Sequence, residues 1–264
     1  MSKERRSLED VVLTREDVLR AVVLEPRDKR ELTEAVESSR STVDRAIREL
    51  RDAGLVKRVD GRYEATVAGG CSLDAAEQFH ERIRDVGDAV AVLNQLPVDG
   101  PLDRRFLADA DAYAATPEMP DGVVQQLFDS VRTAKRLRGI APVVLSGHFE
   151  GFYEAATAGD TQVEMLISDS VVSQLVSTAA TRAVFLEQLR DENVTISRAE
   201  IPFSFGLWVT EWEAGILVYT DTGVGGLLRN DSDEAVAWAE SVFADLAADA
   251  DRITPDGIRS VGDD

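Results

Sequence analysis

The sequence predicts an α/β chain, α+β overall, in two parts: a small helical unit closed by a basic hairpin, then a mixed sheet covered by helices. Three observations predict it. Residues 38–62, SSRSTVDRAIRELRDAGLVKRVDGR, read as a polar turn, an amphipathic helix with Arg outward, and a two-stranded ribbon turned by Asp60-Gly61. From about residue 121 helical and strand periods alternate, and from residue 203 several strand-like runs follow one another, as in a mixed sheet. The length of 264 residues fits two compact domains, each able to bury a core. The expected boundaries are 1–70 for the first domain, 71–120 for a linker helix and connector, and 121–264 for the second.

In TREDVLRAVVLEP, Thr14 stands as a helix cap with Asp17 three residues on. Val18, Ala21, Val22 and Leu24 share a face, and Pro26 ends the run. DKRELTEAVE supplies a second helix with Leu32, Ala35 and Val36 inward. The third helix begins near Ser41; Val43, Ala46, Ile47 and Leu50 bury one side, and Gly54 closes it. The period then turns from helical to alternating in LVKRV, and RYEATV returns antiparallel, with Lys57, Arg58 and Arg62 around the hairpin tip. This is the layout of a winged helix-turn-helix.

Such a helix enters the major groove, where its N-terminal residues reach base edges, while a basic wing lies on phosphate or in the minor groove. The residues expected at double-stranded DNA are Ser41, Thr42 and Arg45 at bases or nearby phosphates, Arg40 and Arg48 as phosphate clamps, and Lys57, Arg58 and Arg62 on the wing. The competing reading is a three-helix domain whose arginines are taken up in i,i+4 pairs with Asp44, Glu49 and Asp52. Charge alone does not separate the two.

The net charge of −20 is unevenly held. Residues 1–70 carry 15 basic and 15 acidic side chains, so the whole excess falls in residues 71–264, with 14 basic against 34 acidic. The front of the chain can approach a polyanion and the back cannot. Only four of the 29 basic residues are Lys, and this acidic, Lys-poor bias is similar to that of proteins from organisms with a salt-rich cytoplasm. No stretch approaches the roughly 20 apolar residues of a membrane span, and MSKERRSLEDVV has no apolar signal core, so a cytoplasmic protein is expected. Cys71 is the one cysteine, which excludes an intrachain disulfide and a paired-cysteine metal site.

After the wing, Phe79, Ile83, Val86, Val90 and Leu93 alternate spacings of four and three, a short heptad seam. The seam is either docked on its own domain or the contact of a homodimer. Residues 97–120 read as an irregular connector with one short element around Phe106. Then follow a helix from about Asp121 to Arg138, a strand PVVLSG, a helix FEGFYEAATAG and a strand QVEMLIS. A long helix from Asp169 through Asn193 and strands in VTISRAE, FSFGLWVT, GILVYT and VGGLLR come next, and a helix from Ser232 closes the domain.

The stretch from Asp28 to Tyr63, and most closely SRSTVDRAIRELRDAGLV, resembles the winged-helix domains of archaeal and bacterial transcriptional regulators. FLADADAYAAT, RGIAPVV, FGLWV and GGLLRNDSDEAVAWAESVF resemble the sensor portion of haloarchaeal and methanogen regulators of the methanogenesis-regulator type. The element order is similar to that of sugar-responsive archaeal regulators, whose sensor domains share an architecture with phospholipase D-like enzymes. The resemblance implies a DNA-binding regulator with a C-terminal sensor domain.

Catalysis is not expected. His80 and His148 are the two histidines, and neither is followed by the Lys of the phospholipase D-type H-x-K-x-x-x-x-D motif. A Ser-His-Asp set around Ser146 or Ser168 would lack the G-x-S-x-G elbow, and GVGG at 223–226 lacks the Lys and helix of a phosphate loop. No cofactor and no metal are expected. A small-molecule effector is: His148 and Phe149 fall at the carboxyl edge of one strand and Ser168 and Asp169 at that of the next, where open sheets bind ligands. Trp208, Trp212 and Tyr219 are further candidates, though alternating aromatics often belong to a core. The sequence thus points to a transcriptional regulator controlled by an effector or by oligomerisation. The alternative is a protein-interaction adaptor whose winged helix contacts another protein.

Overall fold

A computed structural model of the chain describes residues 6–97, 100–116, 122–145, 147–221 and 223–259. The chain divides into two compact units, Met1–Arg84 and Asp85–Asp264.

The first unit holds α1 (Leu8–Thr14), α2 (Glu16–Leu24), α3 (Lys29–Ala35) and α4 (Arg40–Asp52), then the hairpin of β1 (Val56–Val59) and β2 (Arg62–Ala65). The apolar pattern starts one helix earlier than expected. Ser7 caps α1 by accepting from the Asp10 amide, and Val11 and Val12 are buried with Val18 and Leu19. Thr14 is therefore the last residue of α1 rather than a cap, and α2 begins without a side-chain cap. Asp28 and Glu31 form a capping box on α3, each side chain accepting from the other's end of the first turn. Leu19, Leu32 and Leu50 have no exposed surface and knit α2, α3 and α4 into one core.

The hairpin follows from its turn. Asp60 and Gly61 take φ of +47° and +85°, the two left-handed residues of a type I′ turn whose twist matches paired strands. Val59 opposes Arg62 and Val56 opposes Ala65 across it. An isolated bridge between Arg27 and Tyr63 ties the returning strand to the α2–α3 loop.

Helix α5 (Val67–Leu93) starts before residue 71, the expected beginning of the linker region, with Gly69, Gly70 and an exposed Cys71 inside it. Its Leu73 and Ala76 belong to the core of the first unit, and its Ala89 and Val92 to a core of the second. Of the heptad seam, Phe79, Ile83, Val86 and Val90 are 42–57% exposed, and Leu93 is half-buried.

The second unit is built on an eight-stranded mixed sheet, in agreement with the expected architecture. Along the chain come a short 3-10 helix (Arg104–Leu107), β3 (Asp111–Ala114), α6 (Gly122–Arg132), β4 (Arg136–Ala141), α7 (Phe149–Ala156) and β5 (Gln162–Ile167). Then follow α8 (Asp169–Val176), α9 (Ala179–Gln188), β6 (Val194–Arg198), β7 (Gly206–Val209), β8 (Ala214–Thr220) and β9 (Gly223–Asn230). The domain closes with α10 (Asp233–Ala247), β10 (Asp251–Arg252) and α11 (Pro255–Arg259). Strand order is β10-β6-β5-β4-β7-β8-β9-β3, parallel among β4, β5 and β6 and antiparallel elsewhere. One face carries Leu137, Val163, Ile196 and Leu217 under α6 to α9; the other carries Ile140, Leu166, Leu207 and Ile216 under α10.

Three expectations are corrected. The first strand after α6 is RLRGIA rather than PVVLSG, because Arg136 and Arg138 reach Glu240 on α10 and so occupy a covered sheet face that their charge disguises. PVVLSG becomes the loop leaving β4, with its Ser146 outside the described residues. The long helix after β5 breaks in two at Ser177-Thr178: Thr178 caps α9 through the Thr181 amide, and the Arg182 guanidinium donates to the Val176 carbonyl at 2.6 and 3.0 Å. The 97–120 connector has its short element at Phe106, but also β3, which pairs with β9 from Asp111 opposite Arg229 to Ala114 opposite Gly226.

Candidate functional site

Helix α4 is held from below by Val43, Ala46, Ile47 and Leu50, all buried. Burying such side chains stabilises by roughly 1.5–3 kcal/mol each for the larger ones, enough to fix which way the opposite face points. That face carries Arg40, Ser41, Thr42, Arg45, Arg48 and Arg51, all exposed. Ser39 caps the helix, accepting from the Thr42 amide at 3.2 Å and lying 2.9 Å from both the Ser41 and Thr42 hydroxyls. No acidic residue stands in the first turn, so its free amides and positive dipole end are open to an anion.

The carboxylates of α4 do not consume its arginines. Asp44 pairs with Lys29 at 2.5 Å, and Glu49 with Arg15 at 2.8 Å and Arg6 at 3.3 Å, all cations from other elements. The hydrogen bond from Arg15, with the fields of Arg15, Arg6 and Arg45, holds the Glu49 carboxyl below its ordinary value against the opposing effect of burial. Among the described residues Arg40, Arg45, Arg48 and Arg51 make no ion pair with a carboxylate. The helix thus presents cations outward while Asp44 and Glu49 engage cations of neighbouring elements.

The wing is less uniform. Lys57 faces its cross-strand partner Glu64 at 3.5 Å, and Arg62 turns back to Glu31 at 2.6 Å and to the Pro26 carbonyl at 3.0 Å. Arg62 therefore braces the hairpin against the start of α3. Arg58 lies over the Tyr63 ring, 5.8 Å from its centre, with no carboxylate partner among the described residues.

In the second unit a cavity of about 140 Å³ lies between the sheet and the helices of its α6–α9 face. His148, Phe149, Trp208 and Tyr219, singled out in the sequence, line it. His148 precedes α7 and meets Phe128 edge-on at 6.4 Å. Ser168 and Asp169 are not among its lining residues: the Ser168 hydroxyl caps α8 and donates to the Pro142 carbonyl, while Asp169 reaches Arg198 at 3.3 Å. Trp212 is exposed and also outside it. Sequence reasoning missed Phe128, Tyr153 and Gln188, which line it too. The signal for Gln188 was its place three residues after Phe185 on the inward side of α9, where a polar residue is out of pattern. The Tyr153 hydroxyl, pushed up to about 12 by burial and by Asp191 at 3.1 Å, is uncharged at neutral pH.

The floor of the cavity depends on glycine. Gly215 pairs with Trp208 across β7 and β8, and the indole lies flat where any Cβ at residue 215 would stand. The indole N–H donates to the Ser130 hydroxyl at 2.9 Å, and Ser130 in turn donates to Glu213. Trp208 is thereby satisfied at its polar end and apolar toward the cavity.

Comparisons with known proteins bear on both units. Residues 120–249 match the family described as methanogenesis regulatory protein FilR1, middle domain, and residues 10–88 match the HVO_A0261 N-terminal domain. The chain is similar to an archaeal transcription regulator. A comparison with curated protein sequences yields no match. Among solved structures, the chain is similar to TrmBL2, an archaeal chromatin protein whose structure is described as showing a novel mode of DNA binding: 10% identity, 96% of this chain and 100% of that one, TM-score 0.43. It is also similar to NucT from Helicobacter pylori (7% identity, 55% of this chain and 99% of that one, TM-score 0.45). A phospholipase D family member, Nuc from Salmonella typhimurium, matches at 9% identity over 55% of this chain and 99% of that one, TM-score 0.45. Among the described residues no helix is long and apolar enough to cross a membrane, and no group of three or more His, Cys, Asp and Glu gathers for a metal ion.

Proposed function

We propose that the chain is a sequence-specific, DNA-binding transcription regulator that works as a homodimer and answers to a small molecule held in its second unit. The observation that carries the reading is the face of α4, where Arg40, Arg45 and Arg48 are exposed while Asp44 and Glu49 are engaged by Lys29 and Arg15. Arg45 and Ser41 read base edges in the major groove, Arg40 and Arg48 clamp phosphates, and Arg58 extends the contact on the wing. The matched regulator family supports the same role for the whole chain.

Dimerisation is read from α5. Taking Ile83 and Val90 as a positions and Phe79, Val86 and Leu93 as d positions gives β-branched a residues, the choice that favours two strands. Exposure of the first four in a single copy supports a second copy as their cover. Two recognition helices would then read half-sites about one DNA turn, roughly 34–36 Å, apart. Effector binding biases the second unit between two arrangements, and α5 carries the bias to the first.

Genome-wide mapping of where the tagged protein sits tests this reading, followed by fluorescence anisotropy on the recovered duplexes. Enrichment at discrete promoters carrying a two-fold-related motif is the expected result. Occupancy without any shared DNA motif, together with failure to bind the recovered duplexes, would turn the reading toward a protein-interaction adaptor.

A further inference from the structure

The cavity of the second unit has a chemistry that narrows its ligand. Among the described residues its lining contains no Arg, Lys, Asp or Glu; it is almost wholly aliphatic and aromatic, with His148 its one histidine. Two polar groups interrupt this surface. Gln188 is 5% exposed, and Tyr219, on β8, is driven well above the ordinary tyrosine range by burial. Among the described residues no side-chain hydrogen bond is formed by the Gln188 amide or the Tyr219 hydroxyl, and neither group is sealed away from open space. A polar group that faces such space takes its hydrogen bond from water or from a guest. Two such groups on one apolar cavity are the mark of a site that a guest completes. For size, an apolar cavity of about 150 Å³ admits a benzene-sized molecule, and this one is about 140 Å³.

We infer that the cavity binds an uncharged, predominantly apolar molecule about the size of one substituted ring, bearing a hydroxyl or carbonyl that hydrogen-bonds Gln188 or Tyr219. The inference rests on the effector reading for its regulatory meaning, but not for the existence of the site. A carboxylate or phosphate is disfavoured as the polar group, since no Arg or Lys among the described lining residues would repay its desolvation. The Tyr219 hydroxyl donates or accepts, and the Gln188 amide can do both.

The test uses the full-length protein and three probes: benzyl alcohol, toluene and benzoate, titrated by calorimetry and by Trp208-sensitive fluorescence. Saturable one-to-one binding of benzyl alcohol and toluene, with benzoate at least tenfold weaker at pH 7, is the expected result. Gln188→Leu or Tyr219→Phe, according to which group the hydroxyl meets, should weaken benzyl alcohol about three- to tenfold, and both should leave toluene within twofold. Both are compatible with a folded chain, because each removes a polar atom that forms no side-chain hydrogen bond among the described residues. Val144→Trp, at the half-buried start of the loop after β4, should weaken both probes. Equal affinity for benzoate, or loss of toluene together with benzyl alcohol in Gln188→Leu, would overturn the inference. So would the absence of saturable binding by the folded wild-type protein. The same titrations repeated on the DNA-bound protein separate the two readings. Probe binding without any change in duplex affinity upholds the site and removes the effector role, whereas a cavity that binds nothing beside intact DNA binding removes the site and leaves the regulator.

Discussion

Arg45 on α4 and Arg138 on β4 carry the same guanidinium in opposite circumstances. Arg138 donates to Glu240 at 2.6 Å and to Glu164 at 3.0 Å and stacks its cation over Phe243 at 5.3 Å. Burial alone would lower its pKa, but the bonds to Glu240 and Glu164 more than offset that and leave it raised. Arg136 joins the same Glu240 at 2.7 Å from its Oε1, although that oxygen lacks hydrogen-bond geometry, so the contact is an ion pair only. Arg198 and Arg229 likewise have Asp169 and Asp111. Among the described residues Arg45 makes no ion pair with a carboxylate, and neither do Arg40, Arg48 and Arg51. In a chain with 49 acidic and 29 basic residues, an exposed cation finds a carboxylate easily. On α4, Asp44 and Glu49 instead engage Lys29 and Arg15 and leave the exposed arginines available, the arrangement that the proposed contact with DNA requires.

The harshest way to break this contrast is to remove what holds α4 in place. Leu50→Ala should destabilise the first unit by about 2–5 kcal/mol, read from denaturant unfolding followed by far-UV circular dichroism, and should abolish DNA binding through unfolding alone. A sharper cut exchanges the roles of the two arginines. Arg45→Ala should cost about 1–3 kcal/mol of duplex affinity with the thermal midpoint unchanged, whereas Arg138→Ala should lower the midpoint and leave affinity unchanged. Next in size, Ser39→Ala removes the α4 cap and should cost about 1 kcal/mol of stability. Arg48→Ala, a phosphate clamp, should reduce the slope of log affinity against log salt by about one, uniformly across DNA sequences.

The smallest effect is a pH effect with a definite sign. Glu49 has its folded pKa below the ordinary 4.5, chiefly through the hydrogen bond from Arg15. Its contribution to stability is therefore present above the unfolded value and is lost as pH falls through the depressed folded one. Unfolding scans between neutral pH and about pH 3 should show Glu49→Gln flattening the acid loss of stability in the first unit. An unchanged acid limb would mean that the Arg15–Glu49 pair contributes nothing in solution, as exposed pairs often do.

The first unit was the more legible because its signals are local. Ser39, Gly54 and the Asp60-Gly61 turn each act within four residues of themselves, so the start, end and return of α4 and its wing could be read directly. What could not be read was a helix boundary with no punctuation: α1 and α2 meet at Arg15 without a break in the apolar pattern, and Thr14 was the wrong place to begin. In the second unit the errors come from tertiary partners. Arg136 and Arg138 look like the tail of a helix until Glu240, about a hundred residues later, neutralises them on the sheet. Strand β3 exists only through β9, which a pass along the sequence cannot pair. Of the effector candidates, Phe149, Trp208, Tyr219 and His148 line one cavity, while Trp212 is exposed outside it and Ser168 is drawn away by its capping duty. Gln188 and Phe128 reach the cavity from helices whose docking no local rule specifies.

The central claim is that the arginines of α4 are held free for nucleic acid, and it is tested most directly by the affinity of Arg45→Ala/Arg48→Ala for a mapped promoter duplex at moderate salt. Circular dichroism and the thermal midpoint should match the wild type, because neither side chain makes an ion pair with a carboxylate among the described residues. Affinity should fall about 100-fold, two contacts of roughly 1.4 kcal/mol each adding. A double variant that keeps its fold and binds the duplex as tightly as the wild type would contradict the account.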